Sequence, residues 1–156
     1  MSTISASTTT TTAYVVTADT TGALVLQTGA TPTTAVTIDT AKSMNLSGSY
    51  TEGVVAIGTV TSSNTLSLAN GTVQTATLTA STACTFTMPT ATAGKSFVLL
   101  LKQAAVTGNG SATFTGVKWG SSGAPTITAT AGKMDILTFI ADGTNWYGSA
   151  AQGYTP

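Results

Sequence analysis

Residues 75–89 read Thr-Ala-Thr-Leu-Thr-Ala-Ser-Thr-Ala-Cys-Thr-Phe-Thr-Met-Pro. In an extended chain successive side chains point to opposite faces. Ala76, Leu78 and Ala80 then share one face, and Thr75, Thr77 and Thr79 share the other. After Ser81-Thr82 the pattern resumes, with Cys84, Phe86 and Met88 inward and Thr85 and Thr87 outward. A period of two is the signature of a half-buried strand. Pro89 ends it, because proline cannot donate to a sheet ladder. Thr is β-branched, suits a strand, and keeps the outward face wettable without charge.

Working toward the C-terminus, Phe97-Val98-Leu99-Leu100-Leu101 is apolar on both faces and predicts a central strand covered on both sides. Residues 134–140, Met-Asp-Ile-Leu-Thr-Phe-Ile, form a second such run. Asn70-Gly71, Asn109-Gly110 and Asp142-Gly143 are tight-turn signals, the last turning the chain into Trp146-Tyr147-Gly148. Six to eight strands without a helical period predict a jelly-roll-like antiparallel β-sandwich over residues 56–156. Its expected core is Phe86, Phe97, Leu99, Leu101, Ile136, Phe139 and Trp146. Trp146 is expected against Phe139 across the hairpin, with Trp119 plugging one end.

Toward the N-terminus the strands become short. Residues 1–12 are a Ser/Thr tract with little to bury. Strand candidates follow at residues 13–17, 22–27, 35–39 and 43–46. Each buries two or three apolar side chains, too few to offset backbone ordering in a single chain. Residues 1–55 therefore read as an extended oligomerisation and attachment arm whose core is shared between chains. Val15, Leu24, Leu26, Val36 and Ile38 are the expected interface, joined by Val98 and Leu100 from the doubly apolar strand.

Composition narrows the chemistry. Charged residues are 6% of 156, with five Lys, no Arg and five acids, against about 25% in ordinary domains. Low charge and positive mean hydropathy favour association. There is no His, which removes the commonest general base and metal ligand. One Cys and no His exclude an ordinary zinc site. The acids Asp19, Asp39, Glu52, Asp135 and Asp142 are scattered, and Asp19 and Asp142 fall in turns. Gly94-Lys95-Ser96 ends like a phosphate-binding loop, but Pro89 stands where its first Gly is needed and a strand follows. The balanced charge supplies no footprint for nucleic acid, and no apolar run reaches the length of a membrane span. No signal peptide is expected from the first residues, and Cys84, in phase with Phe86, reads as a buried thiol of a chain made in a reducing cytoplasm. No enzyme and no cofactor is expected. Exposed aromatics leave a carbohydrate platform of Trp119, Tyr147 and Tyr154 as the alternative.

Two stretches carry a resemblance. Residues 35–48, Ala-Val-Thr-Ile-Asp-Thr-Ala-Lys-Ser-Met-Asn-Leu-Ser-Gly, resemble an element of bacteriophage tail-fibre and appendage stems. Phe86-Thr87-Met88-Pro89, Ala93-Gly94-Lys95-Ser96-Phe97, Val117-Lys118-Trp119, Ala124-Pro125-Thr126-Ile127, residues 131–139 and Asn145-Trp146-Tyr147-Gly148 resemble, in order and spacing, the small β-sandwich of many phage structural proteins. The resemblance implies a virion component, a homotrimer, and no catalytic residues. The chain is short beside a host-binding tail fibre and has no long stem repeats, which favours a capsid decoration or short head fibre on the virion surface, assembled in the host cytoplasm. Its expected partners are itself and other virion proteins. The alternative is a tail-fibre subunit recognising a host surface glycan.

Overall fold

The computed structural model describes residues 22–28, 31 and 33–156. Val15 and the strand expected over residues 13–17 lie outside them. The chain divides into two units, Met1–Thr51 and Glu52–Pro156. Among the described residues there are twelve strands and no helix, as the period-two patterning and the Thr content require.

In the first unit, β1 (Leu24–Thr28), β2 (Thr33–Ile38) and β3 (Met44–Leu46) form a three-stranded antiparallel meander in sequence order. The β2–β3 turn is built by Asp39. Its Oδ1 accepts the Ser43 amide at 2.9 Å, its backbone exchanges bonds with Lys42 and Ser43, and Lys42 takes a positive φ of 67°.

In the second unit, β4 (Val54–Val60), β6 (Val73–Leu78) and β8 (Ser96–Lys102) lie in one sheet. Here β5 (Ser63–Thr65), β7 (Ala83–Thr87) and β9 (Ser111–Thr115) form a second. The chain alternates between the two, β4 to β5, β6 to β7, β8 to β9, and each strand pairs in parallel with the strand one coil earlier. This is a β-solenoid-like arrangement of three coils. Then β10 (Val117–Trp119), β11 (Met134–Ala141) and β12 (Trp146–Tyr154) extend the larger sheet to the order β10-β12-β11-β8-β6-β4. The β11–β12 hairpin is antiparallel and β11 runs antiparallel to β8.

The antiparallel jelly-roll expected from the sequence is thereby corrected. The turn signals explain how. Asn70-Gly71 closes no hairpin; it carries the chain from one sheet to the other. A Cβ on Gly71 would lie 2.1 Å from the Gly53 carbonyl oxygen, so glycine is needed for adjacent coils to approach. Asn109-Gly110 behaves alike. The buried Gln103 donates to the Gly110 carbonyl at 2.6 Å and accepts its amide at 3.0 Å, replacing a missing strand neighbour.

The core lies between the two sheets. Ala76, Leu78, Cys84, Phe86, Phe97, Leu99, Leu101, Leu137, Phe139 and Trp146 are all buried, while Thr75, Thr77 and Thr85 are only half-buried. Ile136, expected inside, is a correction. It is half-buried on the outer face, and Leu137 takes the inner one. Ile136 and Phe139 are three residues apart, an odd offset that puts them on opposite faces of a regular strand.

Candidate interaction surfaces

The aromatic residues come first, because they test the carbohydrate platform. Trp146 is buried and donates its indole N–H to the Pro89 carbonyl at 2.7 Å. Its ring meets Phe97 edge-on at 5.2 Å, and Phe97 stacks on Phe139 at 4.7 Å. The expected Trp146–Phe139 contact is therefore replaced by one through Phe97. Trp119 is half-buried and turned inward, edge-on to Phe114 at 5.8 Å and to Phe139 at 6.0 Å. Its ring occupies the space over Gly148, its register partner, where a Cβ would lie 2.6 Å from the ring. Tyr147 and Tyr154 are exposed, on β12, seven residues or about 23 Å of extended chain apart. Trp119, Tyr147 and Tyr154 thus do not converge on one platform.

The carboxylates are employed by the backbone. Asp135 is fully buried and accepts the Thr128 amide at 2.8 Å, the Gly153 amide at 3.0 Å and the Gln152 side chain at 3.2 Å. Burial pushes its carboxyl up, but the donors from Thr128, Gly153 and Gln152 together outweigh this and hold it below the usual value. Asp142 opens the β11–β12 turn. The amides of Asn145 and Thr144 and the Tyr147 hydroxyl hold its carboxyl down to about 2. Tyr147 is raised by that same bond and by the charge of Asp142. Among the described residues no three of His, Cys, Asp and Glu come together as metal ligands.

What the structure leaves open is apolar sheet surface. In the first unit Leu24 pairs with Ile38 and Ile38 with Met44, while Leu26 pairs with Val36 and Val36 with Leu46. Directly paired residues point to the same side of a sheet, so these six form two apolar rows on one face. Within the unit the face stays open: Leu26 is 44% exposed and Met44 65%, with Leu24, Ile38 and Leu46 also exposed. Met44 and Leu46 were absent from the expected interface; their alternation in the strand carried the signal.

In the second unit, Val98 and Leu100 are half-buried on the outer face of the larger sheet. A groove of about 460 Å3 runs over that face between Glu52, Val98, Ile140 and Tyr147. Its rim hydroxyls bond one another, Thr138 to Ser149 at 2.7 Å. A second cavity of about 500 Å3 lies beside β9, lined by Phe114, Trp119 and Ile127. No protein-family model, curated protein or solved structure matches this chain.

Proposed function

We propose that the chain is a non-enzymatic structural subunit that assembles with copies of itself, on the surface of a phage particle, as a homotrimeric capsid decoration or short head fibre. The observation that carries the assembly is the open face of β1–β3. A three-stranded sheet is stable only when its apolar face is covered. On this face Leu24, Leu26, Ile38, Met44 and Leu46 are exposed and Val36 is half-buried. A chain with 6% charged residues and no net charge has little repulsion to oppose the association. The number three and the virion setting come from the resemblance of residues 35–48 and 86–148 to phage stems and sandwiches. Covering the face with the same face of other copies supplies about 25 cal/mol for each Å2 of apolar surface removed from water.

The test is native mass by light scattering or mass spectrometry, for the wild type and for Leu26→Lys and Val36→Lys. The wild type is expected at three chain masses and the lysine variants at one. A wild type that stays at 15.5 kDa at micromolar concentration refutes the reading. Labelling of intact particles that placed the chain at a tail tip would refute the head location.

A further inference from the structure

The larger sheet of the second unit has an outer face that nothing in that unit covers. The register defines it row by row. Val54 pairs with Val73, Val73 with Val98, Val98 with Thr138 and Thr138 with Ser149. Beside this row stand Leu100 paired with Ile136, and Ile140 paired with Tyr147. Val54 is 64% exposed and Ile140 57%.

The charges on this face have a definite arrangement. Glu52 precedes β4 and accepts the Thr72 hydroxyl just ahead of β6. Its carboxylate borders the groove over Val98 and Ile140. Lys118 lies on β10, the edge strand at the other side of the sheet, paired with Tyr147 and so on the same face. Lys118 is exposed, and no ion pair joins it to an acid among the described residues. Glu52 and Lys118 both stand toward the end of the sheet marked by Ser96, Ile140 and Tyr147. Five strand spacings separate β4, which Glu52 precedes, from β10, about 24 Å.

We propose that this face is a self-association surface in which Glu52 of one copy meets Lys118 of the next. The placement decides the occupant. Glu52 and Lys118 sit at the same height on opposite sides of the apolar rows. The same face also carries Lys102, exposed at the far end of β8, and the Asp142 carboxylate, which accepts the Tyr147 hydroxyl. When copies stand parallel, the acid side of each comes against the base side of its neighbour. Repeated around an axis, the contact closes into a ring, and across a two-fold axis along the strands it closes as a pair. The groove over Val98 and Ile140 then receives the neighbour's apolar rows.

The area sets the strength. Seven residues of β8 by five strands from β4 to β12 span about 20 by 19 Å, near 400 Å2. A standard interface takes about 800 Å2 from each partner. The face therefore acts as a second contact beside the β1–β3 face, and it rests on the self-assembly reading proposed above.

The experiment is disulfide trapping in the full chain, with Glu52→Cys and Lys118→Cys together in a Cys84→Ala background. At five strand spacings, about 24 Å, the two positions of one chain are beyond the roughly 7 Å reach of a disulfide, so any bond formed is between chains. Mild oxidation is expected to give a non-reducing gel ladder that ends at three chains, with either single-cysteine variant staying largely uncross-linked. A ladder ending at two chains supports the face and overturns the number three. Native mass at three chains with no trapping overturns this surface and leaves the β1–β3 assembly standing. Monomeric mass with no trapping overturns both. Charge exchange is the second arm. Glu52→Lys or Lys118→Glu alone is expected to weaken association about tenfold by opposing like charges, and the two together to restore it. Equal association in all four proteins overturns the pairing.

Discussion

Removal of the Asp135 carboxylate tests the account of the second unit most directly. Asp135 sits on the inward face of β11, in phase with Leu137 and Phe139, and is fully buried. It ties the Thr128 amide and the Gly153 amide to the sheet, one from the segment before β11 and one from the irregular end of β12. Asp135→Ala leaves two amides without an acceptor. Thr128 is half-buried and Gly153 exposed, so water takes up part of the loss, and the total is about 1–3 kcal/mol, the cost of one buried unsatisfied group. A domain of this size loses about 4 °C of Tm per kcal/mol. Asp135→Asn keeps one acceptor and turns a donor toward the other amide, so its cost is about half as large. The pH dependence has a definite sign. The folded-state value is depressed by the donors, so the contribution is fully present above the unfolded value of about 3.9. It is lost as pH falls from there through the depressed folded value. Asp135→Asn removes that part of the acid-side loss. Urea denaturation at neutral pH and near pH 3 measures both effects. If Asp135→Ala matches the wild type within 0.5 kcal/mol at neutral pH, roughly the scatter of ordinary surface changes, the clamp does not hold these segments.

Other outcomes follow from single contacts. Gly148→Ala would bring a Cβ within 2.6 Å of the Trp119 ring and 2.9 Å of Val117, so it is expected to cost about 1–3 kcal/mol and to shift Trp fluorescence to longer wavelength. An unchanged spectrum and stability would contradict the Trp119–Gly148 packing. Leu99→Ala, at a fully buried central position, is expected to cost about 2–5 kcal/mol in chemical denaturation. Cys84 is buried with its thiol donating to the Val60 carbonyl, so it should resist thiol reagents until the protein unfolds. Fast labelling of the native protein would show that the core opens there. In an NMR titration Asp142 is expected to protonate at about 2, and Tyr147→Phe, which deletes one of its donors, to raise that value.

The strands themselves were legible because hydrophobic alternation reports burial residue by residue. Cys84, Phe86 and Met88 face in, as their phase requires. Phe97, Leu99 and Leu101 are buried while Val98 and Leu100 lie on the outer face. Strand direction was not legible. A parallel coil and an antiparallel sandwich bury the same alternate residues, so Ala76 and Leu78 read alike in both. The choice rests on where the connections go. Asn70-Gly71 and Asn109-Gly110 look like hairpin turns, yet each spans two sheets, and the Gly71–Gly53 approach that requires glycine joins residues of successive coils. Ile136 was misplaced because a run apolar on both faces has no phase of its own. Asp135 supplied the missing phase, but only once its amide donors from Thr128 and Gly153 were visible.

By itself the sequence determined an all-β chain of Thr-lined strands, poor in charge and without His, whose N-terminal strands are too short to cover themselves. These are local properties, set by side-chain volume, branching and ionisation. Tertiary structure alone decided that consecutive strands stack in parallel coils and that Trp119 lies over Gly148. It also set Glu52 and Lys118 on opposite sides of one open face. Those outcomes depend on pairings between residues tens of positions apart, and no local period encodes them.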